Sequence, residues 1–244
     1  MTAIQTTKLT KTFGPRMAVD SLDLSVEQGE LFSLLGVNGA GKTTTIKMLC
    51  GLTRPTSGDA VLLGDSIVSD PFAVKRKINL SPQETAVAPN LSTRENLELI
   101  AGIYGNNQPE SAAAASAMIE QFSLEEVAKQ KARTLSGGWQ RRLSIAMAFI
   151  SNPQILFLDE PTLGLDVLAR RELWNIIRSL RGKVTIMLTT HYLEEAEALS
   201  DRLGVMSKGK LKAVGTVKEL LALTGAEKFE DAFVSLAVEN GKAI

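Results

Sequence analysis

The rhythm of hydrophobic and polar positions changes several times along the chain, and each change marks an element. Leu22, Leu24 and Val26 alternate with polar residues, as a half-buried strand does, and Gln28-Gly29 turns the chain into the mostly apolar run Leu31 to Leu35. The glycine-rich stretch Gly36-Val37-Asn38-Gly39-Ala40-Gly41 follows, then a helical pattern with Ile46, Leu49 and Cys50 on one face. Strand, glycine loop and helix in that order open a βαβ unit. Short apolar strands are expected again at Ile155 to Leu158 and Val184 to Leu188, separated by helical periodicity from Leu168 to Leu180. This alternation predicts an α/β core with a mainly parallel sheet.

Between about residues 84 and 150 the rhythm is helical. Ser92-Thr93-Arg94-Glu95 has the form of a capping box ahead of Leu97, Ile100 and Ala101. Pro109 to Phe122 is alanine-rich, and Leu143, Ala146, Met147 and Ile150 recur at helical spacing. The region reads as a helical insertion in the α/β core. From Lys218 onward the tail is expected to be helical, with Phe229, Phe233 and Leu236 on one face.

Composition narrows the function classes. A chain of 244 residues, 44% apolar and 22% charged, is an ordinary globular protein large enough for a sizeable core. With 27 Lys and Arg against 27 Asp and Glu there is no bulk basic field, so no nucleic-acid partner is expected. One Cys cannot form an internal disulfide and fits a reducing compartment, and one His excludes His-rich zinc sites. Met1 to Thr12 is polar and lacks the build of a signal peptide. No apolar run approaches the roughly 18 residues that span a bilayer, so the chain is not expected to be embedded in a membrane.

Three stretches carry chemistry. Gly36-x-x-x-x-Gly41-Lys42-Thr43 has the form of a phosphate-binding loop, whose glycines let backbone N–H groups curl round phosphates at a helix N-terminus. Lys42 would reach the β- and γ-phosphates and the Thr43 hydroxyl would coordinate Mg²⁺. A chance match in a chain of this length has odds on the order of 1 in 100. Asp159 and Glu160 end the apolar run Ile155 to Leu158, at the strand edge where open α/β sheets bind ligands. Asp159 is suited to the Mg²⁺ complex, and Glu160 to serve as base or polariser for the attacking water. Ser136-Gly137-Gly138 opens another helix and reads either as a plain N-cap or as a second anion site.

In order, the loop at Gly36, Ser136-Gly137-Gly138, Ile155 to Glu160 and His191 resemble the nucleotide-binding subunit of an ATP-binding cassette (ABC) transporter. The resemblance runs from about Ile4 to Thr216 and its motif set is highly specific. It implies a P-loop NTPase core with a mainly parallel sheet, an antiparallel β subdomain and a helical insertion carrying the signature motif. The ATPase domain would span residues 1–216, with the insertion at about 84–150 and a helical tail at 217–244. It implies that Gly36, Val37, Asn38, Gly39, Ala40, Gly41, Lys42, Thr43 and Thr44 hold ATP, and that Phe13 stacks on adenine where the family usually has Tyr. Gln83 would touch Mg²⁺ or the water, and Asp159 would hold Mg²⁺ through water. His191 would contact the γ-phosphate and orient the water together with Glu160. Ser136, Gly137, Gly138 and Gln140 would cap the ATP of a second subunit, and Asp166 would sit in the loop that crosses that interface.

Trp139 replaces the commoner Gln, and Val167 stands where Pro is frequent; neither change removes a phosphate donor. The implied partners are a second ATPase subunit, as homo- or heterodimer, and an integral-membrane permease, with the chain peripheral on the cytoplasmic face of the cell membrane. Thr190-His191-Tyr192-Leu193-Glu194-Glu195-Ala196-Glu197 resembles the ABC-2 exporter branch, which includes drug and antibiotic efflux systems. The rival is a soluble ABC ATPase acting in translation or DNA repair, disfavoured by the single cassette, single Cys and zero net charge. Cys50 and Trp174 read as packing, and Arg141-Arg142 either as a solvated helix face or as support for the signature helix.

Overall fold

The computed structural model describes residues 1–237. In chain order the elements are β1 (Thr2–Phe13), β2 (Arg16–Glu27), β3 (Leu31–Leu35), α1 (Lys42–Leu49), β4 (Ser57–Leu62), β5 (Asp65–Ser66), α2 (Pro71–Lys77) and β6 (Ile78–Ser81). The helices α3 (Thr93–Ile103), α4 (Gln108–Gln121) and α5 (Gly137–Phe149) come next, followed by β7 (Ile155–Asp159), α6 (Val167–Ser179), β8 (Thr185–Thr190) and α7 (Leu193–Leu199). The chain closes with β9 (Arg202–Ser207), β10 (Lys210–Gly215), α8 (Val217–Thr224) and α9 (Phe229–Ala237).

Two sheets form. One has four antiparallel strands in the order β2-β1-β4-β5, and the other has six in the order β10-β9-β3-β8-β7-β6. In the larger sheet every pairing is parallel except the edge hairpin of β9 with β10. The mainly parallel core and the antiparallel subdomain are both as expected from the sequence. Beyond the expected strands the structure has β1, β4, β5, β6, β9 and β10, and β1 lies in the stretch read as merely polar. Its threonines suit a pleated surface, and Ala3, Ile4, Thr6 and Leu9 are the residues it buries.

The short apolar runs are explained by burial on both faces. No residue of β3, β7 or β8 is exposed. On β7, Leu156 and Leu158 face a cluster with Leu143 of α5 and Leu173 of α6. Ile155 and Phe157 face the other way, toward Phe32, Ile46 of α1 and Ile4 of the antiparallel sheet. The parallel sheet is thus sandwiched between helices and the smaller sheet.

The helices between β6 and β7 have definite ends. Ser92 and Glu95 form the expected capping box of α3, and Asn107 and Glu110 form a second one on α4. The helix α5 starts at Gly137, well before the apolar repeat that begins at Leu143, because its first turns are polar. In the tail, α8 and α9 pack on the β9–β10 hairpin. Leu220, Phe229 and Ala232 are buried there, with Phe233 and Leu236 against them, so the expected apolar face exists. The last part of the expected helical tail, residues 238–244, lies outside the described residues.

Candidate active site at the carboxyl edge of the parallel sheet

The site is built on three neighbouring strands, β3, β8 and β7, that end at the same edge. Leu35 pairs with Thr190 and Asp159 with Thr189, so the residues just beyond those pairs come together without any long-range loop. The phosphate loop leaves β3 at Gly36 and enters α1 at Lys42. Gly36 has to be glycine, since a Cβ there would sit 2.3 Å from the Met206 carbonyl oxygen. Gly41 has φ of 107°, and a Cβ would lie 2.5 Å from the Ala18 carbonyl oxygen. No side chain caps α1 and no acid lies in its first turn, so its leading N–H groups are left for an anion.

Lys42 is 5% exposed. Its ammonium donates to the carbonyls of Gly36 at 2.7 Å and Val37 at 3.3 Å, and pairs with Glu160 Oε1 at 3.1 Å. The other oxygen of Glu160, Oε2, lies 2.7 Å from His191 Nδ1. A carboxylate only accepts, so Nδ1 carries a proton in this pairing. Contact between His191 and a phosphate therefore runs through Nε2, which donates only when the ring holds its second proton. Beside them, Thr43 Oγ1 donates to Asp159 Oδ1 at 3.0 Å, and Thr189 Oγ1 donates to the same oxygen at 2.6 Å.

Lys42, Thr43, Glu160 and His191 line one cavity of about 580 Å³. Phe13, Asn38, Gly39, Ala40, Gly41, Lys42, Thr43, Thr44, Gln83, Glu160 and His191 all contribute to its wall, whereas the expected site residues Gly36, Val37 and Asp159 are not among those that line it. Phe13, at the end of β1, is half exposed with Lys11 Nζ 4.9 Å from its ring centre. Arg16, in the β1–β2 hairpin, also lines the cavity and was not foreseen from the sequence. Its only sequence signal is its closeness to Phe13.

The remaining candidates lie elsewhere. Ser136 heads α5 with its hydroxyl unused as a cap, and Ser136 and Gly137 are exposed. The plain N-cap alternative for Ser136 therefore fails on hydrogen bonding. Gln140 donates to the carbonyls of Ala132 at 3.0 Å and Leu135 at 3.2 Å, tying down the approach to the signature helix. Asp166 caps α6, its Oδ1 accepting from the N–H groups of Leu168 and Ala169 at 2.9 Å each. Its neighbours Val167 and Leu168 are exposed. Ser136, Gly137, Gly138, Gln140 and Asp166 are thus not part of the cavity lined by Lys42, Glu160 and His191.

Arg141 and Arg142 are buried, which removes the solvated-face alternative. Arg141 donates to the carbonyl of Pro82 at 2.7 Å and to that of Gln83, so α5 holds the segment carrying Gln83. Burial pushes the Arg141 pKa below its usual value, and nearby Asp159 opposes that shift. Arg142 pairs with Glu172 and lies 4.6 Å from the centre of the Trp139 ring. Trp174 is more than packing, since its indole N–H donates to Glu195 Oε1 at 3.0 Å. Glu195 is fully buried, and desolvation raises its pKa against the opposing pull of its hydrogen bonds.

The comparisons with known proteins agree with this geometry. The family described as ABC transporter matches residues 19–163. The daunorubicin resistance ATP-binding protein DrrA3 of Streptomyces coeruleorubidus is 41% identical over 230 residues, 94% of this chain and 73% of that protein. The Nod factor export ATP-binding protein I of Burkholderia thailandensis is 43% identical over 213 residues, 86% of this chain and 70% of that protein. Among solved structures, an ATP binding subunit of an ABC transporter superposes with a TM-score of 0.85 at 28% identity, over 97% of this chain and 100% of that one. A dimeric ATP-binding cassette in a post-hydrolysis state, bound to ADP and Pi, matches with a TM-score of 0.78 at 27% identity, over 87% of this chain and 98% of that one. With the loop, Glu160 and the lone histidine lining one cavity, and with a family match over most of the chain, the chain belongs to the ABC transporter family, as one of its ATPases.

Proposed function

We propose that this ATPase works as one half of a two-subunit ATP sandwich that powers export through a separate membrane permease. One observation carries the reading. Glu160 is held between Lys42 and His191 in the phosphate-loop cavity, while the unused hydroxyl of Ser136 lies outside that cavity on an exposed helix start. A subunit with one complete loop and one displaced anion site fits a partner that supplies the other half of each ATP site.

In this reading, ATP phosphates and Glu160 are alternative partners for the same Lys42 ammonium. Phosphates entering the loop draw Lys42 away and free Oε1 of Glu160 to polarise the attacking water. His191 stays on Oε2 and orients that carboxylate toward the γ-phosphate. The Thr43 hydroxyl, the Asp159 carboxylate and the Gln83 amide form an all-oxygen donor set, which fits Mg²⁺ with its preference for few protein ligands plus water and phosphate. Mg²⁺ would neutralise charge on the transferring phosphoryl group. Phe13 offers a ring face to adenine. Ser136, Gly137 and Gly138 present backbone donors and a hydroxyl across the interface, and Asp166 fixes the start of α6 in the loop that crosses it.

Export is proposed from the relatives, which are named for daunorubicin resistance and Nod factor export. The cargo class is accordingly a drug-like, antibiotic or lipid-like molecule. Among the described residues no helix is long and apolar enough to cross a membrane, so transport needs a partner that does. That permease would dock in the groove between core and helical insertion near Gln83, on the cytoplasmic face of the membrane. The relatives reported above lend no support to the soluble translation or repair alternative.

Two variants test the mechanism. Lys42→Ala should abolish ATP binding or turnover. Glu160→Gln should keep ATP and elute as a dimer by size-exclusion chromatography with ATP present. A strictly monomeric, fully active Glu160→Gln protein would refute the sandwich. Co-purification from membranes followed by identification of a polytopic partner tests the transport assignment.

A further inference from the structure

We infer that Thr189 is a positioning residue for ATP hydrolysis, whose single hydroxyl fixes Asp159 and Glu160 relative to each other. The inference rests on the roles given above to those two acids. Thr189 lies directly beside Asp159 in the β7–β8 register and has no exposed surface. Its Oγ1 donates to Asp159 Oδ1 at 2.6 Å and accepts from the Glu160 N–H at 3.0 Å. Both capacities of the hydroxyl are therefore engaged, one on each acid.

A core position on this strand does not need a hydroxyl. Ile186 and Leu188 serve the same buried strand with apolar side chains, and an apolar β-branched residue would fill the space of Thr189 equally well. Burying a hydroxyl costs free energy that its hydrogen bonds must offset, and here both bonds go to the reaction centre. Its neighbour Thr190 has a different role, accepting from the Tyr192 N–H at 3.0 Å where the chain turns into α7.

Glu160 explains why such an anchor is needed. Its φ is 49°, the left-handed region that a non-glycine residue occupies only when its surroundings hold it there. The Glu160 N–H is pinned to β8 twice, by Thr189 Oγ1 and by the Thr189 carbonyl at 3.2 Å. That kink turns the carboxylate so that its two oxygens meet Lys42 and His191 separately. Asp159 Oδ1 receives two hydroxyls, but Thr43 belongs to the phosphate loop and changes partners when nucleotide enters. Thr189 belongs to the sheet and does not. It is the fixed reference that keeps Asp159 in one rotamer while the loop cycles.

The test compares Thr189→Val, Thr189→Ser and Thr189→Ala with the unaltered chain. ATPase kcat and KM, ATP affinity in EDTA and the thermal midpoint are measured for each. Loss of the bridge should lower kcat about 10- to 100-fold in Val and Ala, as small misplacements of reacting groups do. ATP affinity in EDTA should change less than about threefold, because Lys42 and the loop amides are untouched. Ser should restore kcat to within about fivefold, as it keeps both hydrogen-bonding capacities. If Val fails to fold, the Ser and Ala pair decides by the same split. A Val or Ala variant with unaltered kcat would overturn the inference, as would a Ser variant as slow as Val. So would equal losses of kcat and EDTA affinity, the signature of general damage. Full activity of Lys42→Ala or Glu160→Gln would instead sink the assignment of the site itself, whatever Thr189 does.

Discussion

Arg141→Met should both weaken the fold and uncouple two functional segments. In the structure the buried guanidinium donates to the carbonyls of Pro82 and Gln83, bridging α5 to the segment that follows β6. Methionine keeps the length of the stem and the packing but leaves two partly buried carbonyls without their donor. Hydrogen bonds to a charged donor contribute roughly 1.5–3 kcal/mol each, and relief of the desolvation of a buried cation offsets part of that. The net loss is about 3 kcal/mol, and for a chain of this size that corresponds to a fall of roughly 6–12 °C in the unfolding midpoint. Thermal unfolding followed by circular dichroism measures it. Because the released segment carries Gln83, kcat should fall at a temperature where the variant remains folded, with little change in ATP affinity. Arg141→Lys can satisfy one carbonyl and should recover about half of the midpoint shift. An Arg141→Met protein with an unaltered midpoint and unaltered turnover would refute the bridging argument.

Three further outcomes are expected. Gly36→Ala forces a Cβ to 2.3 Å from the Met206 carbonyl oxygen, so the loop has to move and ATP affinity, measured by equilibrium titration, should fall about tenfold or more; unaltered affinity would contradict the close approach. Glu195 has its pKa raised above 4.5 by burial, so its neutral form stabilises the fold fully below that value and the contribution is lost as pH rises through the higher folded value. Glu195→Gln keeps an acceptor for Trp174, so urea midpoints of variant and unaltered chain should converge near pH 4 and separate toward pH 8 with the variant the more stable; parallel profiles would refute an upward shift at Glu195. Burial pushes the Cys50 thiol far up, so a maleimide should label it only at the rate of unfolding, and rapid labelling of the folded protein would show that α1 opens locally.

The sequence made legible what depends on backbone geometry and on short apolar runs. The phosphate loop is readable because Gly36 and Gly41 answer steric demands that no other residue meets. Asp159, Glu160 and His191 are readable because a buried parallel strand is a short apolar run, and the residue after it falls at the ligand-binding edge. The strand β1 was not legible, since threonine-rich alternation resembles a polar terminus until a partner sheet covers one face. Nor were the burial of Arg141 and the bridging by Thr189. An arginine on a helix is ordinarily solvated, and a threonine in a strand is ordinary β-sheet filling. Only the neighbours brought in by the fold, Pro82 and Gln83 for one and Asp159 and Glu160 for the other, give those side chains their roles. Ser136 was legible as a motif, but its separation from the cavity appears only in three dimensions.

The common direction of β3, β7 and β8 has a practical consequence for engineering. All three deliver their chemistry at their C-terminal ends, so the turns that precede them gather on the far side, where Gln28, Gly29, Gln154 and Gly182 line one shallow depression. A strand of five or six residues separates the two rims by roughly 17–20 Å. The tight turn at Gly182 is exposed, with open space where a side chain would project. A fluorophore or short epitope grafted there would ride on the same rigid strands as the acids and the histidine, and would report on the subunit's motions without standing in the path of nucleotide.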